Sequence, residues 1–243
     1  MSSKRATIAK NIALMLHDGD VVNLGVGLPT MVSNYLPAGM TILLHGENGC
    51  IGQDRELPYA CDFNDRDSVT AYLCAHDDAH GGWRTGHRDL CNASDAFITL
   101  VPGACCFDSA MSFAIARGGH LDATVLGGLQ VDAEGSLANW AIPGKRTNGM
   151  GGAMDLVSGA KKVIVAMEHC AKDGAPKLVA SCTMPLTGVH CVSVLVTELC
   201  IVEFIDRRPV VRAMAAGLTR EELQAVTGAA LVFPDTIETM AEA

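Results

Sequence analysis

Short apolar segments alternate with glycine turns and helical patterns along this chain, and that alternation is what most restricts its fold. The first unit has an apolar strand over 21–24, a turn at Gly25-Val26-Gly27 and a helix predicted over 31–35. The order then returns with strands predicted at 41–44, 96–101, 123–126 and 162–167, and helices at 109–117 and 153–160. Short links between alternating strands and helices favour a largely parallel sheet covered by helices, the α/β class.

The two ends of the chain differ from this pattern. A first helix is predicted over 4–17, ending at Asp18-Gly19-Asp20. After Pro185, strand-like runs at 191–197, 199–205 and 210–213 predict antiparallel strands, and Thr219 with Glu222 predicts a capped helix over 220–226. A short strand is expected at 230–233 and a loose tail after Pro234. We find no linker, so residues 1–243 are predicted to form one domain with an open sheet and antiparallel C-terminal strands.

Composition excludes several classes of partner. Hydrophobic residues make up 49% of the 243 and charged residues 19%, so the chain can bury a core. The net charge, 18 − 27 = −9, offers no basic surface for nucleic acid or an anionic membrane. No apolar run is long enough for a membrane span, and the first twenty residues do not resemble a secretion signal, so we expect a cytoplasmic protein. Most of the ten cysteines lie in apolar surroundings and are expected to be core residues.

Glycine-rich turns after predicted strands are the candidate ligand contacts. They include Gly25 and Gly27, the pair Gly127-Gly128, and the run 149–152. Glycine lets backbone N–H groups approach a ligand at the carboxyl ends of parallel strands. The segment GVGLPT lacks the third glycine of a dinucleotide fingerprint, and the chain has no phosphate-loop motif. Nicotinamide and ATP chemistry are therefore disfavoured.

Glu47 is the most informative carboxylate, because it lies between glycines just after an apolar strand. A glutamate in such a turn is either a solvated loop acid or a presented nucleophile or base. Asn23 and Gly152 lie at two other strand-to-turn junctions. A side-chain amide and a backbone N–H are the groups that stabilise a developing oxyanion.

Several motifs occur in an order that is specific to one family. They are VVNLGVGLPTMVSNYLP, ENG at 47–49, RGGHLDATVLGGLQVD, LANWAIPGK, GMGGAMDLVSGAKKVIVAMEH and CTMPLTG. Together they resemble the β subunit of family I 3-oxoacid coenzyme A transferases, from Lys10 to about Thr227 with one interruption. The resemblance implies the CoA-transferase type of α/β fold. It also implies an α subunit that completes the active site, in a two-plus-two heterotetramer.

The resemblance also assigns roles to residues. Glu47 matches the catalytic glutamate, which forms a glutamyl-CoA thioester, and Asn23 and Gly152 match groups around the reacting carbonyl. Substrate contacts are implied for the residues next to these three: Gly25, Gly27, Asn48, Gly49, Gly151 and Ala153. Coenzyme A is a substrate in this reaction, and no other cofactor or metal is expected. An acyl-CoA hydrolase and a non-catalytic interaction subunit remain alternatives.

Two departures from the family pattern concern the pocket. His45-Gly46 precede Glu47 where the family usually has serine, which alters the wall beside the nucleophile. Between Glu47 and Asn92 lie 92 − 47 − 1 = 44 residues, about twice the expected number, so we place an atypical insert at about 53–91. We interpret it as a mobile lid with Trp83 and Arg84 contacting the substrate. A zinc site is the less favoured alternative, built from Cys61, Cys74, His76, His80, His87 and Cys91.

Overall fold

The computed structural model describes residues 3–56, 72–77, 82–93, 96–144, 147 and 149–243. The chain divides into two compact units. The larger unit comprises Met1–Ile42 and Ile115–Ala243, and the smaller unit comprises Leu43–Ala114. That residues 1–243 form a single domain stays a prediction, and the predicted insert at 53–91 falls within the smaller unit.

The described residues contain strands and helices as follows. The strands are β1 (Val21–Leu24), β2 (Leu43–Gly46), β3 (Cys50–Glu56), β4 (Tyr72–Asp77), β5 (Gly82–Cys91), β6 (Phe97–Cys106), β7 (Ala123–Gly127), β8 (Gln130–Asp132), β9 (Leu137–Ala138), β10 (Val163–Ala166), β11 (Leu178–Val179), β12 (Val194–Val196), β13 (Cys200–Ile205), β14 (Arg208–Met214) and β15 (Glu238–Thr239). The helices are α1 (Ser3–Ala13), α2 (Ser109–Arg117), α3 (Ala153–Gly159) and α4 (Arg220–Ala225), with a 3₁₀ helix over Leu28–Tyr35.

The main sheet of the larger unit has the strand order β15-β14-β13-β12-β10-β7-β1. Strands β1, β7, β10 and β12 are parallel, whereas β13 and β14 add to them as antiparallel strands. This confirms the predicted α/β class, its parallel sheet and its antiparallel C-terminal strands. A separate three-stranded sheet has the order β11-β8-β9.

Both faces of the parallel strands are buried. Val163 and Val165 of β10 belong to a hydrophobic cluster with Leu156 of α3 and Leu223 of α4. Ile164 and Ala166 belong to a second cluster with residues of α1. Because successive side chains of a strand point to opposite faces, helices cover this sheet on both sides. The near-continuous apolar runs in the sequence follow from this double burial.

The smaller unit is an antiparallel sheet with the strand order β2-β3-β6-β5-β4. Strand β4 pairs with β5 from Tyr72↔His87 to Asp77↔Gly82, and β5 pairs in turn with β6. The expectation that the insert contains no packed element is therefore wrong for β4 and β5, and its role as a lid over the substrate stays a prediction. Ladder hydrogen bonds hold these segments as strands, although their sequence shows little apolar periodicity.

Three further boundary predictions need correction. The expected strand at 230–233 makes only an isolated bridge, Val210↔Val232. The tail is not loose, because β15 pairs with β14 and Met240 is buried. Strand β2 starts and ends two residues later than predicted, so Glu47 follows it directly. The capping box of Thr219 and Glu222 is confirmed at the start of α4.

Candidate active site

Glu47 lies in the turn that joins β2 to β3, and we call residues 46–49 the Glu47 turn. The N–H of Gly49 donates a hydrogen bond to the carbonyl oxygen of Gly46, 3.0 Å away, which closes the turn around Glu47 and Asn48. Gly49 has φ +128°, and a Cβ at this position would overlap the carbonyl oxygen of Phe107. Only glycine satisfies both conditions. Glu47 itself is partly exposed, so the turn presents its carboxylate at the end of a hairpin.

Neighbouring segments hold the Glu47 turn. The N–H of Phe107 donates to the carbonyl oxygen of Gly49 at 2.9 Å. Asn48 Nδ2 donates to the carbonyl oxygen of Cys91 at 2.7 Å. Backbone geometry in the turn is thus fixed from β5 and from the start of the segment that leads into α2. Fixed geometry lowers the cost of placing a nucleophile at near-attack distance.

His45 is a buried neighbour of the Glu47 turn. Its side chain is 3% exposed, and its Nε2 lies 2.9 Å from the hydroxyl oxygen of Ser112. Burial lowers the pKa of His45 below its ordinary value, because desolvation disfavours the charged imidazolium. Burial therefore favours the neutral imidazole.

Gly46 is the second residue of the His45-Gly46 pair that departs from the family pattern. A Cβ at Gly46 would overlap Gln53 Nε2 of β3 and would lie 2.8 Å from Asn48 Oδ1. The amide of Gln53 therefore occupies the space that a serine side chain at position 46 would need. In this chain the surroundings of the Glu47 turn contain a glutamine amide where the family usually has a hydroxyl.

Asn23 and its neighbours lie in the larger unit, at the carboxyl end of β1. Asn23 is 3% exposed, and the hydroxyl of Thr124 donates to its Oδ1 at 3.3 Å. The N–H of Gly25 donates to the carbonyl oxygen of Val125 at 2.8 Å. Gly27 has φ +89° and directly precedes the 3₁₀ helix. The strand-to-turn junction predicted from the sequence is present.

Gly152 is the N-cap residue of α3. Its carbonyl oxygen accepts hydrogen bonds from the N–H groups of Asp155 and Leu156, both at 3.0 Å. Gly151, with φ +57°, is exposed, and Ala153 begins the helix. The start of α3 is therefore a helix N-terminus reached through a glycine turn, an environment in which backbone N–H groups favour negative charge.

The remaining predicted residues are only partly described. Trp83 and Arg84 lie in β5, opposite His76 and Ala75 of β4, and their side chains lie outside what the structure describes. Their substrate contacts stay predictions. Within the described ranges, no group of three His, Cys, Asp or Glu side chains is placed to hold a metal ion.

Most of the proposed zinc ligands have no described side chain. Cys61 and His80 lie outside the described residues, and for Cys74, His76 and His87 only the backbone is described. The zinc hypothesis therefore stays a prediction.

Two residues near Glu47 escaped sequence reasoning, Ser112 and Gln53. The helix over 109–117 was predicted, and so was a turn at Glu47. No local pattern links them, because 112 − 47 − 1 = 64 residues lie between Glu47 and Ser112 in the chain. The only signal was the missing serine at position 46, which pointed to a change without indicating what fills the space.

The fold and the turn define an α/β protein that presents a glutamate from a β-hairpin, and comparison with known proteins identifies the class. The chain belongs to the coenzyme A transferase family, whose model matches residues 5–58 and 84–225. The family match and the relatives identify it as a CoA-transferase. None of the helices in the described part of the chain has the length and apolar character needed to cross a membrane.

Individual relatives are similar over most of the chain. The β subunit of the acetate CoA-transferase of Escherichia coli K12 is 50% identical over 91% of this chain and 90% of its own length. One subunit of a probable succinyl-CoA:3-ketoacid coenzyme A transferase of Bacillus subtilis is 42% identical over 94% of this chain and 95% of its own length. The acyl-CoA transferase apoenzyme of E. coli O157:H7 has the same fold, with a TM-score of 0.71 at 17% identity. That likeness covers all of this chain and 44% of the other enzyme's chain.

Proposed function

We propose that this chain is the β subunit of a CoA-transferase that moves coenzyme A between an acyl-CoA and a short carboxylic or 3-oxo acid, with Glu47 as the nucleophile. One observation carries the proposal. In a chain of this family, a carboxylate directly follows a strand, in a turn whose two ends are hydrogen-bonded to other segments. A merely solvated loop acid needs no such support.

The chemistry follows from what a carboxylate can do. A carboxylate oxygen of Glu47 attacks the thioester carbonyl, the C–S bond breaks, and the CoA thiolate leaves a mixed anhydride. The thiolate then attacks the glutamyl carbonyl, which releases the first acid as its carboxylate and leaves a glutamyl-CoA thioester. The acceptor carboxylate repeats these steps in reverse. Each activated acyl group is kept, so the transfer needs no nucleoside triphosphate or redox group.

In this proposal Asn23 and Gly152 stabilise the oxyanions that form during these attacks. A side-chain amide and a helix N-terminus are groups that stabilise developing negative charge. Gly25, Gly27, Asn48, Gly49, Gly151 and Ala153 are the proposed backbone and side-chain contacts of the substrates. Coenzyme A enters as a substrate, and we propose no further cofactor.

The assembly and the substrates rest on the relatives. The acetate CoA-transferase relative is named as a β subunit, which supports an α subunit partner, and we propose a two-plus-two heterotetramer. The names of the two relatives refer to acetate and to succinyl-CoA with 3-ketoacids, which supports short acids as substrates. We also propose a cytoplasmic location, which the eight free cysteines in the described part of the chain support.

The experiment incubates the purified assembly with an acyl-CoA and no acceptor, and then traps the enzyme with borohydride or hydroxylamine. Modification mapped to Glu47 is expected, and Glu47→Ala is expected to abolish both modification and transfer. Glu47→Asp is expected to be severely impaired, because the shortened side chain does not reach the thioester. Glu221→Ala, an exposed carboxylate in the first turn of α4, is the matched control.

The outcomes separate the alternatives. Steady hydrolysis of acyl-CoA without an acceptor supports a hydrolase, and no reaction with any acyl-CoA supports a non-catalytic interaction role. Transfer by Glu47→Ala near the wild-type rate contradicts the proposed mechanism.

A further inference from the structure

A chain of hydrogen bonds leads from His45 to the backbone just before Glu47. The hydroxyl of Ser112 donates to the carbonyl oxygen of Gly46 at 3.2 Å. The same hydroxyl oxygen lies 2.9 Å from His45 Nε2. All three residues belong to the smaller unit, and Ser112 is fully buried in α2.

The hydrogen bond that Ser112 donates to Gly46 assigns the tautomer of His45. A serine hydroxyl has one proton, and here that proton goes to the Gly46 carbonyl oxygen. The contact with His45 must then be accepted by Ser112, so Nε2 carries the imidazole proton. Burial of His45 favours the neutral imidazole, which has one N–H donor. The imidazole thereby holds the hydroxyl proton toward Gly46.

The Gly46 carbonyl is the group through which this arrangement acts on Glu47. It accepts two hydrogen bonds, from the N–H of Gly49 at 3.0 Å and from Ser112. Because the peptide bond is planar, fixing this oxygen also fixes the N–Cα bond of Glu47. The direction in which the Glu47 side chain leaves the backbone is then set from α2.

The opposite end of the Glu47 turn is held by the same part of the chain. Phe107, shortly before α2, donates its N–H to the Gly49 carbonyl oxygen. Asp108 Oδ1 accepts the N–H of Met111 in the first turn of α2, which fixes the start of the helix that carries Ser112. Residues 107–112 thus contact both ends of the turn.

We propose that Ser112 is a positioning residue for Glu47, and that His45 sets the direction of its hydroxyl. The inference rests on the proposed function, because it concerns the geometry of the Glu47 nucleophile. Neither residue is assigned a contact with substrate. Their contribution is to hold the turn so that the carboxylate meets the thioester at near-attack distance, where small displacements are costly.

The test compares Ser112→Ala with Thr99→Val in the purified assembly. Thr99 is a matched control, because it is a buried hydroxyl of the same unit that donates to Asp54 Oδ2 at 3.0 Å. For Ser112→Ala we expect kcat to fall about 10- to 100-fold while the KM of both substrates changes by less than about threefold. Trapping of the glutamyl-CoA adduct slows in parallel. Thr99→Val is expected to keep kcat within about twofold even where its melting temperature falls.

A second pair of variants keeps the test decisive if Ser112→Ala does not fold. Gln carries an N–H donor near the position of the histidine Nε2, so His45→Gln is expected to retain at least about tenfold more kcat than His45→Leu. Equal kcat in these two variants contradicts the positioning role, and so does a fall in kcat for Ser112→Ala no larger than for Thr99→Val. Neither outcome contradicts the proposed function. A wild-type enzyme that transfers CoA without an adduct at Glu47 contradicts the proposed function and the positioning role with it.

Discussion

Gly49→Ala tests whether the Glu47 turn depends on its glycine. The substitution adds a methyl group at φ +128°, where it would overlap the carbonyl oxygen of Phe107. That oxygen is backbone and cannot rotate away as a flexible side chain would. Gly103→Ala is the matched control, because Gly103 is also in the smaller unit, has φ +87° and has nothing within 4 Å of an added Cβ.

The magnitudes follow from these two environments. An alanine at positive φ costs about 1–2 kcal/mol, which is the whole expected effect at Gly103. At Gly49 the backbone must also move, which costs about 1–3 kcal/mol more and strains the hydrogen bond from Phe107. For a chain of this size, each kcal/mol lowers the melting temperature by about 2–4 °C. Gly49→Ala should therefore lower it about twice as much as Gly103→Ala.

Thermal unfolding of the assembly and the rate of CoA transfer provide the assay. Gly103→Ala should keep its transfer rate, whereas Gly49→Ala should lose at least about tenfold in kcat, because the displaced turn carries Glu47. Equal melting temperatures and equal rates for the two variants would refute the reasoning.

Three more predictions concern neighbouring features. Gly46→Ser should lower the rate of CoA transfer, because the introduced serine side chain meets Gln53. Adding Gln53→Ala should restore part of that rate. Strictly additive effects in this double-mutant cycle would contradict the overlap. Burial lowers the pKa of His169 below its ordinary value of 6.5. As the pH falls below 6.5, the unfolded state takes up the proton before the folded state does. The free energy of unfolding should therefore decrease by up to about 1.4 kcal/mol per pH unit. The variant His169→Gln should make the melting temperature less dependent on pH. Trp83→Ala and Arg84→Ala should raise the acceptor's KM more than the CoA donor's; measured KM values that rise equally would remove this assignment.

The sequence predicted the elements whose pattern is local. β1 and α2 have the predicted bounds, and the Thr219 capping box forms as expected. These features depend on residues within a turn or two of one another, so their signals are present in short windows of sequence. His169 is fully buried between the hydroxyls of Thr197 and Thr227, an environment typical of a structural histidine.

Predictions failed where pairing with a distant strand decides the conformation. Residues 72–77 and 82–91 show little periodicity in the sequence. They form β4 and β5 because each strand satisfies the other's backbone groups and β6 continues the ladder. Likewise β15 is ordered by β14 rather than by its own sequence. Such hydrogen bonds join residues that are far apart in the chain, so no short window contains the evidence for them.

The candidate site shows the same division. By itself the sequence determined that Glu47 lies in a glycine-flanked turn after a strand, because turn chemistry requires glycine at particular backbone angles. Only the tertiary structure decided what surrounds that turn. Gln53 fills the space above Gly46, and Ser112 bonds the Gly46 carbonyl with His45 behind it. These contacts arise when strand pairing and helix packing bring distant residues within hydrogen-bond range, and the burial of their polar groups requires that each find its partner there.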